Sequence, residues 1–121
     1  MDVVTTVWVD ARREHPRDGD LVLAAITGRY PARQGEAPSS EQDFWLVLPM
    51  HFRQVHPVED SEEVLHEVYR DADGVVRRPL GAGSAEEVTH WAALPSLPGI
   101  DASELLGASV GPALTAATAR V

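Results

Sequence analysis

Histidine has the side-chain pKa nearest neutrality, so the five histidines of this chain are the first places to look for acid–base or metal chemistry. His51 and His56 lie an odd number of positions apart, which sends them to opposite faces of a continuous strand. Neither H-x-H nor H-E-x-x-H occurs, and no tight run of histidines and carboxylates has ligand spacing, so no metal site is expected. His90 follows Glu86 and Glu87 and precedes Trp91; if Trp91 faces a core, strand alternation turns His90 outward. His90, then His51 and His66, are therefore the candidates for catalysis, although no nucleophile stands near them in sequence.

Aromatic residues supply the second set of candidates. Trp8, Trp45 and Trp91 each fall near the end of an apolar, β-branched stretch, and three indoles can line one pocket or fill one core. Trp45, Tyr69 and Trp91 are the residues expected to touch a ligand or partner. Other chemistries are excluded by composition. The chain has no Cys, and all ten basic residues are Arg, which removes thiolate and Schiff-base nucleophiles and the P-loop lysine. Gly81-Ala82-Gly83-Ser84 is not a nucleophile elbow, and no dinucleotide fingerprint is present, so no cofactor is expected.

A net charge of −9 repels phosphate backbones and anionic lipid, which argues against nucleic-acid and membrane partners. The acidic run Glu59-Asp60-Ser61-Glu62-Glu63 reads as a solvated loop. No signal-peptide pattern opens the chain and no apolar run has the length of a membrane span, so the expected compartment is the cytoplasm.

The elements that must position these residues are mainly strands. Val3 to Val9 is expected as a first strand, with Pro16-Arg17-Asp18-Gly19 a turn before a second at Leu21 to Thr27. That strand is apolar on both faces and reads as central. Gly28 to Gln42 reads as a loop. Phe44 to Phe52 places Phe44, Leu46, Leu48, Met50 and Phe52 on one face, and Pro49 within it implies an edge, a bulge or an early end. Between Val64 and Leu80 a helix competes with a hairpin; Asp71-Ala72-Asp73-Gly74 and the β-branched Val75-Val76 favour strands 64–70 and 75–80. A last strand spans Glu87 to Trp91. From Asp101 a capping-box-like start and Leu105, Leu106, Val110 and Leu114 predict a helix that Gly111-Pro112 stops or kinks. The fold class expected is α+β, mainly β: a small antiparallel or mixed sheet of about five or six short strands with a C-terminal helix. The division expected is a β-rich domain over 1–99 and a partly frayed helical tail over 100–121.

Two segments carry a family resemblance. Trp8-Val9, Pro16-Arg17-Asp18-Gly19 and Val22-Leu23 form one; Val88-Thr89-His90-Trp91-Ala92-Ala93-Leu94-Pro95 with Pro98 forms the other. Together they resemble the short bacterial and prophage proteins of domain of unknown function 551, over about a third of the chain. Glu14-His15 departs from the family's pattern, and the middle of the chain is longer. The resemblance implies a small α+β or all-β fold with paired terminal motifs and a mobile-element setting, and no activity. Two functional expectations follow. One is a non-catalytic accessory module that binds another protein, with a homo-oligomer through the C-terminal helix as a further possibility. The other is a small ligand binder or enzyme in which His51, His66 and His90 converge beside Trp45 or Tyr69.

Overall fold

The structure, a computed structural model, describes residues 1–32, 34–37 and 40–119. Six strands form one mixed sheet: β1 (Val9–Asp10), β2 (Leu21–Arg29), β3 (Asp43–Pro57), β4 (Val64–Arg70), β5 (Val76–Pro79) and β6 (Glu87–Ala93). Their order is β1-β6-β2-β3-β4-β5, and a parallel β5–β6 pairing closes the last five into a barrel. The chain divides into two compact units, Trp8–Ala93 and Met1–Val7 with the chain from Leu94 on. The first therefore ends a few residues before the boundary expected at 99 and leaves out the N-terminal residues.

The barrel follows from alternation. On β2, Val22, Ala24 and Ile26 point inward; on β3, Met50 and Phe52 are fully buried and Phe44, Leu46 and Leu48 pack beside them. Phe52 meets Tyr69 edge-on at 5.1 Å. The 71–75 turn joins a true hairpin. Asp71 accepts from the N–H groups of Asp73 and Val75, and Gly74 takes φ +84. β2 runs two residues further than the sequence suggests. Gly28 lies opposite Phe44, whose ring would stand 2.6 Å from any Cβ there, so glycine keeps the strand open to that ring.

Pro49 neither ends β3 nor bulges it. Phe52 N–H donates to the Asp20 carbonyl and Tyr30 N–H to the Gln42 carbonyl, so even-numbered residues of β3 aim their backbone groups at β2. Odd-numbered residues, Pro49 among them, aim theirs the other way, where β4 pairs only from His51 onward. The missing N–H of Pro49 lies on an open edge and leaves no ladder bond unmade.

Two expectations are corrected. Only Val9–Asp10 of the expected 3–9 strand forms: β1 runs antiparallel to β6 with Val9 opposite Trp91, so residues before Val7 would fall opposite the chain beyond Ala93, where β6 has ended. The C-terminal helix α1 spans Val110–Thr118, beginning where it was expected to stop. Pro112 falls in its first turn, where a proline's missing N–H would have no intrahelical partner.

Candidate functional site

The outer face of β2, β3 and β6 carries a groove of about 330 Å³ lined by Trp8, Ala25, Trp45, Leu46, Val47 and His90. Its floor follows from register. Ala25 pairs with Val47 on one side and His90 on the other, while Thr27 pairs with Trp45. Its geometry depends on a β-bulge. Ala25 faces His90 but Ile26 faces Val88, so Thr89 is an extra residue in β6. The bulge keeps Val88 and Trp91 together against the core while Thr89 and His90 bridge to the groove.

Thr89 organises the wall. Its hydroxyl donates to the Ala25 carbonyl at 3.2 Å and accepts from Trp45 Nε1–H at 2.9 Å. His90 Nδ1 lies 3.0 Å from the same oxygen. Because the single hydroxyl proton goes to Ala25, the contact is satisfied when the imidazole carries its proton on Nδ1, and Nε2 has no partner among the described residues. The Trp45 ring stands 6.3 Å from that of His90, and its side chain is fixed although the residue is 68% exposed. Trp8, 41% exposed, forms the facing wall.

Of the sequence candidates, His90 and Trp45 come together here and the others do not. His51 lies four positions along β2 from the groove, about 13 Å at strand rise, and lines a separate polar cavity with Gly19, Arg53, Arg70, Asp71 and Ala72. His66 is exposed on β4 opposite Val55. Tyr69 is fully buried, so it offers no wall to a ligand; burial and the charge of Glu67 push its phenol pKa up, and its hydroxyl has no partner among the described residues. Trp91 packs on the core and donates Nε1–H to the Glu14 carbonyl at 2.9 Å. The three histidines of the acid–base expectation therefore do not converge. Among the described residues no group of three or more His, Asp or Glu is placed to hold a metal ion. Thr89 was missed by sequence reasoning. Its signal was present as the residue before His90-Trp91, but a bulge is invisible until the register of β2 is known.

Two ion-pair clusters lie elsewhere on the barrel. Asp10 is held down to about 2 by hydrogen bonds from the Arg12 side chain and backbone, with His90 a smaller influence. Arg77, only 10% exposed, bridges Asp71 at 2.8 Å and Glu86 at 2.9 Å. Burial pushes the Asp71 carboxyl up, but bonds from Arg77 and from the Val75 and Asp73 amides outweigh it and hold the pKa below the usual range. In the second unit Leu97, Ile100, Leu105, Val110 and Leu114 line an apolar recess of about 160 Å³.

The Trp8–Ala93 unit is thus a five-stranded barrel with an aromatic groove on its outer face and no assembled acid–base centre among the described residues. Comparison with protein-family models gives no match, and neither curated proteins nor solved structures give one. No helix among the described residues is long and apolar enough to cross a membrane.

Proposed function

We propose that this protein is a non-catalytic binding module, of the bacterial accessory or mobile-element kind, that holds an apolar side chain of a partner protein between Trp8 and Trp45. The observation that carries this reading is the state of Trp45. A large aromatic side chain that is mostly exposed, yet pinned by a hydrogen bond to Thr89, is preorganised for contact. The groove is apolar with one polar atom free to orient an occupant, His90 Nε2, which matches how small recognition pockets divide affinity and specificity.

A phage-displayed library of peptides about twelve residues long tests it, that length being enough to cross a groove at about 3.3 Å per residue. Selected peptides should contain a large apolar residue and bind Trp45→Ala at least about tenfold more weakly, a loss of about 1.4 kcal/mol. Peptides that bind the variant as well as the parent, or a library that yields none, would overturn the reading.

A further inference from the structure

The polar cavity that His51 lines sits on the outer face of the barrel, between two turns. His51 is opposite Leu21 on one side and Arg70 on the other, so the turn before β2 and the 71–75 turn flank it. Phe52 is buried in the core, which turns His51 and Arg53 outward onto the cavity floor. On one side the Gly19 N–H donates to the Phe52 carbonyl at 2.8 Å and ties the first turn to β3. On the other, the Arg70 guanidinium lies over the second turn, 4.0 Å from where a Cβ of Gly74 would stand. The cavity measures about 350 Å³, which suits a small ligand.

The carboxylates near this cavity are engaged and its donors are not. Asp18 stands 3.7 Å from Arg53 Nε, beyond hydrogen-bond distance, and its oxygen accepts from the Gln54 N–H instead. Asp71, which lines the cavity, is bonded to Arg77 and to the Asp73 and Val75 amides. Among the described residues no hydrogen bond engages the side chain of His51, Arg53 or Arg70. Two guanidinium forks and an imidazole on neighbouring positions of two strands can each meet one oxygen of a tetrahedral anion, whereas a carboxylate offers only two oxygens. The net charge of −9 repels an extended polyanion, but screening weakens that field for a small anion seated against two guanidiniums. We propose that this cavity binds the terminal phosphate of a small molecule, held by His51, Arg53 and Arg70. The site is separate from the Trp8–Trp45 groove and does not depend on the role given to it.

The test is a titration of the whole protein, followed by amide NMR, with phenyl phosphate, inorganic phosphate and acetate at constant ionic strength. Phenyl phosphate should shift the amides of Gly19, His51, Arg53 and Arg70 saturably, and bind more tightly than either other probe. Arg70→Gln should weaken it at least about tenfold, through loss of one charge-assisted fork. The Arg70 side chain is exposed, so its urea midpoint should hold, which separates lost binding from a lost fold. Arg53→Gln is the second variant and should act likewise. Arg12→Gln removes the same charge at Asp10, away from the cavity, and should leave the affinity as it was. An Arg70→Gln or Arg53→Gln protein that binds as the parent does, or an equal loss on Arg12→Gln, would overturn the site. Acetate binding as tightly as phenyl phosphate would overturn the assignment to phosphate, and binding of inorganic phosphate alone would overturn the attached small molecule. A phosphoserine peptide that binds at least about tenfold more tightly than phenyl phosphate would give the cavity to a protein partner and overturn the small ligand.

Discussion

The inner and outer faces of the β6–β2–β3 sheet carry similar side chains and meet different fates. Inside, Val22, Ala24, Ile26, Met50 and Val88 are buried to within 3% of full exclusion from solvent. Outside, Ala25, Trp45, Val47 and His90 are just as continuous, yet Trp45 and Val47 remain largely in water. Apolar alternation cannot distinguish the two, since a strand apolar on both faces reads as covered on both. What separates them is closure: the barrel turns one face in on itself and leaves the other without a described element of its own unit across it. Exposed apolar surface on a small domain is the feature that calls for a partner.

The sharpest way to break this contrast is to truncate one residue on each side. Phe52 lies in the core between His15, stacked at 5.1 Å, and Tyr69, edge-on at the same distance. Phe52→Ala should cost about 3–5 kcal/mol, read from urea unfolding, because the cavity cannot refill. A loss under about 1 kcal/mol would mean that the inner face is not the principal core.

Arg77 comes next. Arg77→Met leaves Asp71 nearly buried and unpaired and should cost about 2–4 kcal/mol at pH 7. The pH dependence should then flatten. In the parent, the Asp71 carboxyl is held low, so its contribution is present above the unfolded pKa and is lost as pH falls through the folded one. In the variant, burial is opposed only by the Val75 and Asp73 amides, so the folded pKa rises relative to the parent and less stability is lost on acidification. The gap between variant and parent should be widest near neutrality and narrow toward about pH 3. A gap that is constant with pH would place the ion pair outside the stability of the hairpin.

How far this was legible in sequence follows the range of each interaction. The 71–75 hairpin was readable because its signals, Asp71 and Gly74 before a β-branched pair, act within five residues. The core face of β3 was readable because alternation is local. The truncated β1 and the bulge at Thr89 were not, and the edge position of Pro49 was only one of three alternatives, since each depends on which strand lies alongside and over what length. The candidate site divided in the same way. His90 facing outward followed from Trp91 facing inward, but the burial of Tyr69 and the separation of His51 and His66 from His90 depend on barrel closure. The helix is displaced for a nearer reason: Pro112 reads as a stop to a helix from Asp101, whereas proline is equally at home in a first turn.

Thr89 sharpens the comparison at the groove. Thr89→Val preserves shape and removes one hydroxyl that serves Ala25, Trp45 and His90. Trp45 is exposed enough to regain a water partner, so the expected cost is only about 1 kcal/mol. The larger effect should be on order, with Trp45 indole N–H exchange accelerated and peptide binding weakened by loss of preorganisation. Unchanged exchange would show that Thr89 does not fix the indole.

Trp45→Ala has the smallest expected effect on stability and the most to say about the outer face. The residue keeps most of its surface in water, so truncation removes little burial. Its one side-chain hydrogen bond is solvent-exposed and exchangeable for water. The unfolding midpoint in urea should move by less than about 0.5 kcal/mol equivalent, within the range of ordinary surface substitutions. A large loss of stability would make Trp45 a structural residue after all, a lid on the bulge rather than a wall for a partner. An unchanged midpoint together with lost peptide binding separates the two faces cleanly: the inner one holds the barrel together, and the outer one is kept apolar at no benefit to the fold.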